Sequence, residues 1–151
     1  MRSRLISSLS VVLLATALSA VADGAPHPIA AVEATTRVAR EGRDMRAVLK
    51  TKVEKQLQSV DWSQSREGGP YVLSTSLVRL DTDTSEGAAK VTCAVSMTLR
   101  DQKRGVLRAI VQGRARAEDQ AEAVRAAEED AVRVAIRSAV SSLPEAIRRS
   151  R

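Results

Sequence analysis

The chain has 151 residues, about one domain's worth, with 24 Lys and Arg against 18 Asp and Glu and a net charge of +6. One Trp, one Tyr and no Phe make any core aliphatic and take away the stacking residues that single-stranded nucleic acid needs. A single cysteine, Cys93, excludes an intramolecular disulfide.

The segment Met1 to Ala22 has the layout of a secretory signal peptide. Arg2 and Arg4 form a positive start, Leu5 to Leu18 is mostly apolar, and Ala20-Val21-Ala22 offers a small-x-small cleavage site. Ser7, Ser8 and Ser10 interrupt the apolar run and leave it short of a membrane span, so an uncleaved anchor is the weaker reading. The expected compartment is periplasmic or extracellular. Without Arg2 and Arg4 the basic excess falls to four, which favours anionic surroundings such as lipid headgroups or acidic glycans without requiring them.

Residues 23–28, with Pro26 and Pro28, read as a flexible arm. Ile29 to Val38 is Thr- and Val-containing and reads as a strand, although its alternation is poor. Gly42 to Val60 is a helix, because Met45, Val48, Leu49, Val53, Leu57 and Val60 recur at spacings of three and four. Ser63 to Pro70 is a turn by composition.

Tyr71 to Leu80 begins a three-stranded meander. Asp81 to Lys90 reads as its first hairpin loop. The central strand is Val91 to Leu99, where Val91, Cys93, Val95, Met97 and Leu99 alternate with small or polar residues. Arg100 to Gly105 is a second polar turn ending in glycine. Val106 to Ala117 is the third strand, with Leu107, Ala109 and Val111 on one face and Arg108, Gln112, Arg114 and Arg116 on the other. Ile110 breaks that rule.

From Asp119 the composition favours helix. Asp119 with Glu122 approximates a capping box. Ala121, Val124, Ala127, Ala131, Val134, Ala135 and Ser138 form a small-residue stripe suited to lying close on a sheet, widened by Val132, Ile136, Val140 and Leu143. Pro144 marks an end or kink, and residues 148–151 form a basic tail. The expected fold is α+β: a three- to four-stranded antiparallel sheet, ordered strand-helix-strand-strand-strand-helix, with helices on one face of a single domain spanning 29–147.

Candidate chemistry is sparse. His27 is the only histidine and sits between prolines, so no multi-histidine metal site is expected, and no cofactor is implied. Asp81-Thr-Asp-Thr-Ser-Glu begins like a calcium loop, but its sixth position is Glu86 and its twelfth Thr92, where glycine and glutamate are needed. Cys93 reads as a buried small hydrophobe. Glu118, Glu122, Glu128, Glu129 and Asp130 read as a solvated helix face with pairs such as Glu129–Arg133. No catalytic constellation emerges, and a non-enzymatic protein is expected. The positive feature is Arg108, Arg114 and Arg116 on one strand face, with Arg100 able to join them, as a docking surface for an anionic partner.

Gly69-Pro-Tyr-Val-Leu-Ser-Thr-Ser-Leu-Val-Arg-Leu, followed after a loop by Lys90-Val-Thr-Cys-Ala-Val-Ser-Met-Thr-Leu, resembles a bacterial envelope pattern. It is similar to the outer-membrane lipoproteins that activate penicillin-binding proteins and to the related curli-secretion-channel family, over about residues 69–143. The chain lacks the lipobox cysteine of those lipoproteins, and no functional residue carries over. The resemblance implies a small periplasmic α+β domain that works by binding envelope proteins. A binder of anionic lipid headgroups or acidic glycans is the alternative; nucleic acid is not an expected partner.

Overall fold

The structure, a computed structural model, describes residues 27–65 and 69–150. The expected signal peptide and residues 23–26 of the arm lie outside the described residues. Four strands form one sheet in the order β1-β2-β3-β4: β1 (Ile29–Thr36), β2 (Tyr71–Ser85), β3 (Ala88–Asp101) and β4 (Leu107–Gln120). The helices are α1 (Met45–Leu57), α2 (Val124–Ser141) and α3 (Leu143–Arg149). The α+β order expected from the sequence holds. One pairing differs: β1 runs parallel to β2, because α1 carries the chain back to the end where β1 began.

The meander is longer than the apolar alternation suggests. Residues 81–90 are no loop: β2 continues to Ser85, β3 starts at Ala88, and Glu86 and Gly87 make the turn with φ of 54° and 77°. Positive φ at both central residues is what a two-residue hairpin of right-handed twist requires. Asp83 pairs across from Lys90 and Thr82 from Val91, so this stretch is strand by backbone pairing. Its side chains hid it, since little of this end is covered and both faces tolerate polar residues.

Tyr71, Leu73, Leu77, Leu80, Val91, Cys93, Val95, Met97 and Leu99 point to the covered face and are buried. In α1, Asp44 caps the helix by accepting from the Arg46 and Ala47 amides at 3.0 and 3.1 Å. Met45, Leu49, Val53 and Leu57, four apart, form its buried edge. At its far end the Trp62 indole donates to the Leu57 carbonyl at 3.0 Å, giving a partner to an end-of-helix acceptor.

The stripe in α2 is Ala127, Ala131, Ala135 and Ala139, with Val132, Ile136 and Val140 beside it; Val134 and Ser138 face water instead. The capping box does not form. Asp119 is still in β4, accepting from the Gln120 amide at 2.8 Å, and one 3₁₀ turn (Ala121–Ala123) precedes α2. The approach to the sheet is extreme at Gly113: a Cβ there would lie 1.9 Å from the Ala135 carbonyl oxygen. Pro144 stands in the first turn of α3 rather than in a kink of one long helix. Arg148 and Arg149 belong to the last turn of α3 and pair with Glu145. The arm is docked where it is described, with the Pro28 carbonyl accepting from the Tyr71 amide at 2.9 Å.

Candidate functional site

Among the described residues, no helix covers the opposite face of the sheet. Ser74 and Ser76 of β2, Thr92, Ala94, Ser96 and Thr98 of β3, and Gln112, Arg114 and Arg116 of β4 share it by alternation and register. Its central strands show short, half-exposed side chains, so the surface is low and flat. The arginines rise from its β4 side. Arg114 stands opposite Ala94 and Arg116 opposite Thr92. Small partners leave both guanidinium groups open to solvent, and neither has an ion-pair partner among the described residues.

Arg79 joins them from β2. A register shift between Leu77 and Arg79 leaves Val78 bulged and 62% exposed, and sets Arg79 across from Ala94. Val78, Arg79, Thr92, Ala94, Arg114 and Arg116 thus border a shallow depression of about 490 Å³. Arg79 is held by Asp81, which leaves Arg114 and Arg116 as its uncompensated charges. Arg79 was not singled out in the sequence. The signal was present as Leu77 and Leu80 spaced by three, which breaks the period of two and marks a bulge.

Arg108 does not share this face. A second register shift opposite Leu99 and Arg100 makes Arg108 the extra residue of β4. Its guanidinium lies 3.5 Å from Asp101, whose place in the alternation is that of Met97 and Leu99 on the covered side. Leu107 and Ile110 consequently sit together on the open face, opposite Arg100 and Thr98, instead of Leu107 lying with Ala109 and Val111. This accounts for Ile110, the exception in the simple alternation. Arg100 is on the open face but six residues along β3 from Ala94, about 20 Å away.

Asp101 organises the β3–β4 turn. Its carboxylate accepts from the Lys103 and Arg104 amides, each at 3.0 Å, and its backbone closes the turn with Gly105 and Val106. Hydrogen bonding from the Arg104 amide, aided by the Lys103 amide and the nearby Arg104 and Arg108 charges, holds its carboxyl below the usual range.

A different use of arginine lies under the helices. Glu128 of α2 is buried rather than part of a solvated helix face. It accepts from Arg40 Nε at 2.8 Å, Arg43 Nη1 at 3.0 Å and the Thr82 hydroxyl at 3.0 Å. Arg40 also donates to the Leu80 carbonyl at 2.7 Å, so one carboxylate ties the β1–α1 connection, β2 and α2 together. Burial of a carboxylate needs this complete set of donors. Nothing in the local spacing of Glu128 distinguishes it from Glu129, its neighbour in the chain.

The remaining candidates resolve simply. Cys93 is fully buried in the sheet, and desolvation pushes its thiol up to about 11, far from a reactive thiolate. Asp81 and Asp83 are in extended strand, not in a calcium-type loop. His27 packs at a tilt against Trp62, ring centres 6.3 Å apart. Among the described residues no group of three or more His, Cys, Asp and Glu side chains is placed to hold a metal ion, and no helix is long and apolar enough to cross a membrane.

No family model matches the chain, and no curated protein matches it in sequence. Solved structures do. A Xanthomonas campestris protein of the DUF330 family aligns over 80% of this chain and 86% of its own, at 11% identity and a TM-score of 0.59. The PelC dodecamer of Paraburkholderia phytofirmans aligns over 80% and 91%, at 15% identity and a TM-score of 0.54. A minor lipoprotein of Acinetobacter baumannii aligns over 81% and 91%, at 14% identity and a TM-score of 0.44. The first two show that the fold is one used by bacterial proteins of similar length. None of the three is named as a penicillin-binding-protein activator or a curli-secretion protein, and the resemblance to those families is not confirmed.

Proposed function

We propose that the chain is an exported, non-enzymatic protein-binding or assembly factor of the bacterial cell envelope, and that the uncovered sheet face is its docking surface. The observation that carries this reading is the pair Arg114 and Arg116, unpaired and solvent-facing beside a flat floor of Ser, Thr and Ala. A partner surface presenting carboxylates gains two charge-assisted contacts there without having to break an existing pair. The leader-like segment Met1 to Ala22 supports export. PelC, which shares the fold, is a dodecamer, so a scaffold of this shape is compatible with assembly through its surfaces. Arg108 is engaged by Asp101 and is left out of the surface.

The test is mild crosslinking in the native envelope, followed by affinity purification of the chain and mass spectrometry. Arg114→Glu with Arg116→Glu is expected to keep the fold and to weaken recovery of a specific envelope protein about tenfold. Recovery unchanged by the double reversal, or no reproducible partner at low or high salt, rules this reading out.

The depression between Arg79, Arg114 and Arg116 also favours a second reading, a binder of a small anionic ligand such as an acidic glycan. Its mark is saturable binding of a soluble polyanion that falls steeply with ionic strength and competes with no protein.

A further inference from the structure

The two ends of the sheet differ in chemistry. The β2–β3 hairpin end carries Asp83, Glu86, Glu118 and Asp119, with Lys90 as the basic residue among them; Asp81 lies one row in, beside Arg79 and level with Arg116. The β3–β4 end carries Arg100, Lys103, Arg104 and Arg108, and its acid, Asp101, is already engaged by turn amides and by two of these arginines. Arg100 and Lys103 have no ion-pair partner among the described residues.

The basic end is also the apolar end. Of the large apolar side chains exposed among the described residues, Val106 (47%), Leu107 (53%) and Ile110 (58%) lie here. The bulge at Arg108 is what gathers them, since it turns Leu107 onto the same face as Ile110. The chain also enters the domain at this end: the Tyr71 amide donates to the Pro28 carbonyl and the Gln102 amide to the Pro70 carbonyl, each at 2.9 Å.

We infer that the β3–β4 tip docks on the surface of an anionic phospholipid bilayer. Val106, Leu107 and Ile110 enter the boundary between headgroups and acyl chains, while Arg100, Lys103 and Arg104 meet lipid phosphates. An apolar wedge with a cationic collar is the arrangement that binds an anionic interface, each half supplying what the other lacks. An acidic glycan satisfies the cations and leaves the three apolar side chains in water. A second copy presenting its acidic end does the same, because no large apolar side chain is exposed among Asp83, Glu86, Glu118 and Asp119. The inference does not depend on what occupies Arg114 and Arg116.

The experiment uses the full chain with a reporter at the tip, so that any binding by the segment Met1 to Ala22 is not mistaken for docking. Leu107→Trp is compared with Val134→Trp, an exposed site on α2, in phosphatidylcholine vesicles with and without phosphatidylglycerol, some with brominated acyl chains. The tip reporter is expected to shift to the blue and be quenched on the mixed vesicles alone, with the α2 reporter unmoved. Arg100→Gln, Lys103→Gln and Arg104→Gln are each expected to lower the docked fraction's partition constant about fivefold. Ile110→Trp serves as a second reporter if Leu107→Trp alters the fold. An unquenched tip on vesicles that carry the chain down on centrifugation overturns the proposal. So does quenching that is equal on neutral lipid and indifferent to the three substitutions. A blue shift that depends on protein concentration without lipid overturns it in favour of a second copy.

Discussion

The two faces of this sheet are made by the same strands and treat arginine in opposite ways. Under the helices, Arg40 and Arg43 converge on one buried carboxylate, which also accepts from the Thr82 hydroxyl. On the bare face, Arg114 and Arg116 stand opposite Ala94 and Thr92 and have no ion-pair partner among the described residues. The first arrangement costs desolvation and returns a unique docking of α2 and the β1–α1 connection. The second costs nothing in folding and leaves charge available to something outside the chain. Identical chemistry serves cohesion on one side and availability on the other, and the number of local carboxylates decides which.

The comparison breaks most sharply at Glu128. Replacing it with Ala takes the shared carboxylate from the partly buried Arg40 and Arg43, leaving Arg43 only Glu129 at 3.7 Å, and is expected to cost about 3 kcal/mol in chemical denaturation. The double reversal Arg114→Glu with Arg116→Glu should move the same midpoint by less than about 0.5 kcal/mol. A large loss from the reversal would mean that the bare face also carries the fold. Gly113→Ala drives a methyl group into the Ala135 carbonyl and is expected to cost about 2 kcal/mol, with α2 forced off the sheet.

A gain is expected at Thr75, whose hydroxyl is buried on the covered face with no hydrogen-bond partner among the described residues. Thr75→Val keeps the shape, removes the unmet hydroxyl, and should stabilise by about 1 kcal/mol. The smallest effect concerns Asp101. Its folded pKa lies below the unfolded value of about 3.9, so its contribution to the β3–β4 turn is complete above that value and is lost as pH falls through the folded pKa. Protection of the Lys103 and Arg104 amides, taken relative to their intrinsic exchange, should therefore fall only in acid, and Asp101→Asn should remove that acid dependence.

Much of the covered face was legible in advance, because burial imposes a period. Val91, Cys93, Val95, Met97 and Leu99 announced the central strand, and Met45, Leu49, Val53 and Leu57 announced α1. The alanines of α2 announced close packing, with Gly113 the unseen counterpart on β4. The bare face was less legible for the same reason: without burial there is no hydrophobic period to read. Residues 81–90 looked like a loop while being paired backbone, and two bulges reset which side chains share a face. One bulge removed Arg108 from the arginine group, and the other added Arg79. Glu128 was illegible because its partners are about 46, 85 and 88 residues away in sequence.

The parallel pairing of β1 has a consequence in time. Ile29 must find Tyr71 across α1 and its flanking turns, whereas Leu99 meets Ala109 around one short turn. Closing the longer loop loses more chain entropy before any contact rewards it. The meander can therefore assemble while β1 is still searching, and until β1 arrives the edge of β2 has unpaired backbone donors and acceptors. On this entropic ground β1, the first of the described strands in the chain, is the last to be seated. Whenever β1 leaves its place, the edge of β2 is the point at which this sheet is open to pairing with a strand from elsewhere.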